Sequence, residues 1–74
     1  MYIVRCYDPY DGFTFDYHAF GDKASAKSCA RHARCPYNVG VSCWETSIEA
    51  PVAEKIGRDS PFFSLLEKDG YYLD

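Results

Sequence analysis

Hydrophobic and polar positions alternate at both ends of the first twenty residues. Tyr2 to Tyr7 (YIVRCY) is rich in β-branched and aromatic residues and alternates in character, which predicts a strand. DPYDG, residues 8–12, is dense in turn formers, and Gly12 takes a positive φ at little cost. FTFDYHAF, residues 13–20, places Phe13, Phe15 and Tyr17 on one face and Thr14, Asp16 and His18 on the other. The two runs predict a β-hairpin with a five-residue loop.

Gly21 then breaks the period and Asp22 is a good N-cap. Ala26, Cys29, Ala30 and Ala33 follow i, i+3, i+4, i+7 spacing, predicting a helix from Lys23 to about Arg34 that stops before Pro36. Its apolar face is made of small side chains, so the helix is expected to lie close against a sheet of large ones. VGVSCWETSI, residues 39–48, reads as a third strand with a bulge near Gly40 and the 43–44 step. APVAEKIG, residues 50–57, suggests a short helix closed by Gly57. In the tail, Ser60 as N-cap and Pro61 at the first helical position favour a helix through Lys68 ended by Gly70. The Asp69-Gly70 pair makes a hairpin the alternative, with Tyr71, Tyr72 and Leu73 returning over the sheet in the helical case. The pattern has no repeats or linkers. It predicts one α+β domain spanning 1–74: an antiparallel sheet of about three strands with a helix on one face, in the order β-β-α-β-α-α.

Composition changes this picture in one respect. Aromatic residues make up 18% of the chain, with seven Tyr, five Phe and one Trp, so the core is expected to be built largely from rings. Charge changes it in another. The formal net charge is −3, yet Lys23, Lys27, Arg31 and Arg34 form a run without a single acid between residues 23 and 35. At ~100° per helical residue these four fall on one stripe, roughly 100° round the helix from the centre of the alanine face. The start, MYIVRCYD, lacks the basic region of a signal peptide, and no apolar run approaches the ~20 residues of a membrane span. A complete cytoplasmic protein with reduced thiols is expected.

SCARHARCPYNVGVSC, residues 28–43, raises the question of metal or thiol chemistry, because Cys29, His32 and Cys35 recur every third residue and Cys43 follows. Helical geometry spreads these groups: Cys29 belongs to the apolar face, His32 to its margin, and Cys35 lies almost opposite. The cysteine spacing matches no zinc knuckle. Cys6, Cys29 and Cys43 are therefore expected as small buried core residues, with no metal and no cofactor. Nucleophilic catalysis has a thiol, with Lys27 and Arg31 beside it, but no group to orient His32. His18 reads as a solvent-exposed strand residue. No enzyme is expected.

A base-stacking strand is the last motif to weigh. GFTFDY, residues 12–17, has the aromatic spacing of an RNA-recognition strand, but Asp11 and Asp16 occupy places that need a basic and an apolar residue. The remaining expectation is a non-enzymatic protein-binding module that works by surface contact or occlusion. Lys23, Lys27, Arg31 and Arg34 supply its electrostatic anchor, and Tyr10, Tyr37, Tyr71 and Tyr72 its aromatic anchors. Small size and action by contact fit phage or mobile-element inhibitors of host machinery, such as anti-CRISPR proteins. The partner is expected to be a protein or a nucleoprotein complex. The alternative is a nucleic-acid-binding accessory domain that uses the basic face of residues 23–34.

Overall fold

A computed structural model describes residues 1–33 and 39–70. Its centre is β1 (Tyr2–Tyr7), which pairs on both sides. β2 (Thr14–Phe20) and β3 (Gly40–Glu45) flank it antiparallel, and β4 (Lys55–Ile56) pairs with the far side of β2. The sheet order is β3-β1-β2-β4. Two helices complete the chain, α1 (Lys23–Ala33) and α2 (Pro61–Gly70). The α+β class is as the sequence predicts, and the tail is the helix rather than the hairpin.

Successive residues of β1 point to opposite faces, and each face carries its own half of the core. Ile3 joins Tyr17, Ala19, Trp44, Ile56, Phe63 and Leu66 beneath α2. Here the rings meet edge-on, with Tyr17 centred 6.0 Å from Trp44 and 5.1 Å from Phe63. Val4 and Cys6 face the other way and meet Ala26, with Cys29, Ala30 and Ala33 partly buried around them. The expectation of a helix on one face only is therefore incomplete: α2, foreseen as a helix, covers the second face. Trp44 Nε1 donates to Asp69 Oδ2 at 2.7 Å and ties the end of α2 to the sheet.

Asp22 caps α1 as expected: Ser25 N and Ser25 Oγ both donate to its carboxylate at 2.8 Å. Those bonds favour the ionised form and hold the Asp22 carboxyl below its ordinary range. In the first hairpin, Asp8 N donates to the Phe13 carbonyl and Gly12 N to the Asp8 carbonyl. Gly12 has φ 78°, the left-handed turn position its sequence implies. Arg5 locks the same loop, donating through Nε to Thr14 Oγ1 and through a terminal nitrogen to the Gly12 carbonyl.

Three local expectations are corrected. The short helix at 50–57 does not form. Ala53 sits at φ 59°, a left-handed position that ends any helix, and Ala53 N donates to the Ala19 carbonyl. Residues 52–56 instead satisfy the outer side of β2, through a parallel Val52–Ala19 bridge and Ile56 opposite Tyr17. The order is thus β-β-α-β-β-α, with four strands.

The bulge expected in the third strand is absent, since β3 keeps an unbroken register against β1 from Glu45–Tyr2 to Gly40–Tyr7. The irregularity lies in β2, where Cys6 faces Asp16 but Tyr7 faces Thr14, leaving Phe15 extra. That insertion overturns the expected Phe13–Phe15–Tyr17 face. Thr14 moves into the buried set with Tyr17, while Phe13 and Phe15 are 48% and 44% exposed.

Candidate functional site

The acid-free run forms one exposed face of α1. Lys23, Lys27 and Arg31 are all exposed, and Arg34 lies outside the described residues. α1 packs across β1, β2 and β3, so this face borders edge strand β3. Lys23 and Lys27 share a shallow groove with Tyr2, Cys43 and Glu45. Lys27 and Arg31 line its continuation with Ala30 and Cys43. Among the described residues the ion pair present is His18 with Asp16, so Lys23 and Lys27 stand without a carboxylate partner there. The outer side of β3 pairs with no strand among the described residues.

The candidate aromatic anchors fare differently. Tyr10 is 83% exposed in the hairpin loop. Further along the chain, Phe13 and Phe15 meet edge-on with centroids 6.0 Å apart, and the Arg58 guanidinium stacks 3.9 Å over Phe13. The β2 bulge is what brings these rings outward. Tyr37, Tyr71 and Tyr72 lie outside the described residues.

The cysteines do not converge as their spacing invites. Cys29 is half-buried under α1, and the His32 ring makes a 2.8 Å hydrogen bond with the Ser28 carbonyl through Nδ1. Cys35 lies outside the described residues. Cys43, expected in the core, is exposed on β3. The unbroken β3 register turns Cys43 toward α1, opposite Val4, at the open rim of the layer rather than inside it. Burial pushes the Cys43 thiol up, while Lys23 and Lys27 pull it down. Burial also raises Cys29, aided by Asp16 and Cys43, so its thiol is held neutral rather than activated.

A different cluster forms instead. Cys6 and Asp16 are direct cross-strand partners, and His18 lies two residues along β2 on the same face. One ligand atom from each lies within 4.8 Å of the other two. His18 Nε2 sits 3.0 Å from Asp16 Oδ1. That oxygen is buried, and at this distance the imidazole contact does not meet hydrogen-bond geometry. Cys6 is buried, and desolvation together with Asp16 and Cys29 pushes its thiol up to about 11. His18 is thus a half-buried member of a polar cluster under α1, not the exposed strand residue expected.

Comparison with protein-family models, with characterised proteins and with solved structures finds no match to this chain. No helix among the described residues is long and apolar enough to cross a membrane.

Proposed function

We propose that this protein is a non-enzymatic protein-binding module whose docking surface combines the outer edge of β3, which pairs with no strand among the described residues, with the cationic face of α1. The partner presents an extended acidic segment. The observation that carries the reading is the groove itself, in which Lys23 and Lys27 stand over Cys43 and Glu45 of an edge strand. An unpaired edge offers backbone donors and acceptors to an added strand, and side chains beside it set the choice of strand. Lys23, Lys27 and Arg31 recur at four-residue steps, a rise of ~6 Å each. Alternate residues of a strand are ~6.7 Å apart, so acidic residues at every second position meet the cations in turn. Exposed lysines and arginine add mainly partner choice and association rate, while strand pairing and apolar contact hold the complex.

Occlusion of a partner in the manner of small phage and mobile-element inhibitors, anti-CRISPR proteins among them, is the mode of action this surface serves. Nucleic acid is the competing ligand for the same cations. The two are separated by titrating a labelled peptide of alternating Val and Glu, and in parallel a DNA duplex and an RNA strand, with amide shifts followed by NMR. The expected result is peptide binding that shifts the amides of residues 40–45 and weakens at least about tenfold in Lys23→Glu/Lys27→Glu. Both positions are exposed, so circular dichroism of that variant stays native. Binding of DNA or RNA with a steep salt dependence, and none of the peptide, overturns the protein-binding reading in favour of the accessory-domain alternative.

A further inference from the structure

A second site lies beneath α1, and it is independent of the docking surface. We propose that Cys6, Asp16 and His18 form a binding site for one zinc-class divalent cation, with its fourth coordination position left to solvent or an incoming donor.

The argument begins with strand geometry. Residues i and i+2 on β2, with the cross-strand partner of the first, always occupy one compact patch of a sheet face. Here that patch holds a thiol, a carboxylate and an imidazole, the three side-chain types that zinc takes. Such a set suits a borderline cation and not calcium or magnesium, which take oxygen ligands. In a tetrahedral site with bonds of ~2.0–2.3 Å, ligand atoms stand roughly 3.3–3.8 Å apart. The observed separations are all within 4.8 Å, with His18 Nε2 and Asp16 Oδ1 3.0 Å apart, so the three groups already stand near that spacing.

The second observation is Asp16 Oδ1. It is buried inside the cluster, meets no hydrogen-bond geometry, and has the His18 Nε2 atom 3.0 Å away as its close polar neighbour. A buried carboxylate oxygen whose close neighbour is an imidazole outside hydrogen-bond geometry is incompletely compensated, and a cation held between the two groups would complete it. A way in exists as well: the Asp16 and His18 side chains keep 17% and 26% of their surface exposed, and Asp16 lines a cleft with Phe15, Lys55 and Asp59. Three protein ligands with one position open is the arrangement of reactive zinc centres rather than of closed structural ones. Cys29 packs against the same layer but is not one of the three, and His32 is engaged with Ser28.

Cobalt(II) titration of the reduced, metal-free protein tests the site, because a thiolate ligand gives a cobalt charge-transfer band and a tetrahedral environment gives intense visible bands. The expected result is saturation at one equivalent, with the spectrum lost when Zn²⁺ displaces the cobalt. Cys6→Ser abolishes the charge-transfer band. His18→Gln and Asp16→Asn each weaken cobalt binding by more than about tenfold, since even groups that merely support a ligand contribute 10–100-fold. His18 is partly exposed, so His18→Gln retains its native circular dichroism and separates lost ligation from lost fold. Cys29→Ala and Cys43→Ser keep one equivalent bound. No charge-transfer band at cobalt in large excess overturns the site. So does binding that survives in Cys6→Ser and His18→Gln but disappears on replacing Cys29, Cys35 or Cys43.

Discussion

Gly40 shows how a single hydrogen in place of a methyl group sets a strand end. Its φ lies outside the left-handed region, so conformational freedom does not explain it. The reason is its cross-strand neighbour: Gly40 pairs with Tyr7, and a Cβ at residue 40 would run into the Tyr7 ring at Cε2 and Cζ. The ring cannot swing aside cheaply, because the Arg5 guanidinium stacks 4.4 Å over it while also bonding Thr14 and the Gly12 carbonyl. A methyl at 40 therefore displaces Tyr7, and through Arg5 it disturbs the hairpin loop. Gly40→Ala is expected to lower stability by about 1–3 kcal/mol, the usual cost of overpacking. A urea titration reads this as a reduced midpoint with an unchanged slope. A midpoint equal to wild type would show that the ring moves freely and that Arg5 does not hold it.

At the scale of elements, what the sequence makes legible is whatever local pattern decides. The strands at 2–7 and 14–20, the Asp22 cap and the Pro61 start of α2 are all written in neighbouring residues, and they appear where expected. The misses share one cause: their outcome depends on a partner far along the chain. Residues 50–57 have helical composition, but the unpaired side of β2 offers hydrogen bonds that an isolated turn cannot match. The extra residue at Phe15 exists only relative to β1, so no inspection of FTFDY reveals it. For the same reason Cys6, Asp16 and His18 are visible in the sequence as three unrelated residues, and only the register assembles them. The basic face of α1 needed no partner and was legible throughout. So was its small apolar side, and Ala26, fully buried against Val4 and Cys6, is its tightest point. Ala26→Leu is expected to cost about 1–3 kcal/mol by lifting α1 from the sheet. The exposed Lys27→Leu serves as a control that leaves the denaturation midpoint nearly unchanged.

At the scale of the molecule, one thin sheet separates two unlike half-cores: a ring-filled layer under α2, and a small-residue layer under α1 that also houses the polar cluster. In 74 residues neither layer buries enough surface to persist alone. They are joined by β1, which sends Ile3 into one and Val4 into the other, both fully buried. This arrangement makes the two layers unfold together, and Trp44 allows the point to be checked. Its indole lies in the α2 layer, tied to Asp69, on the opposite face from Val4. Val4→Ala removes two methyl groups from the α1 layer and is expected to lower stability by about 1–3 kcal/mol. If β1 couples the layers, thermal melts of this variant followed by Trp44 fluorescence and by far-ultraviolet circular dichroism fall at the same reduced temperature. If the α1 layer loosens by itself, the dichroism falls first while Trp44 keeps its native emission. That second outcome would mean that the cationic face of α1 and the cluster beneath it form a separately yielding unit, able to adjust without disturbing the aromatic core.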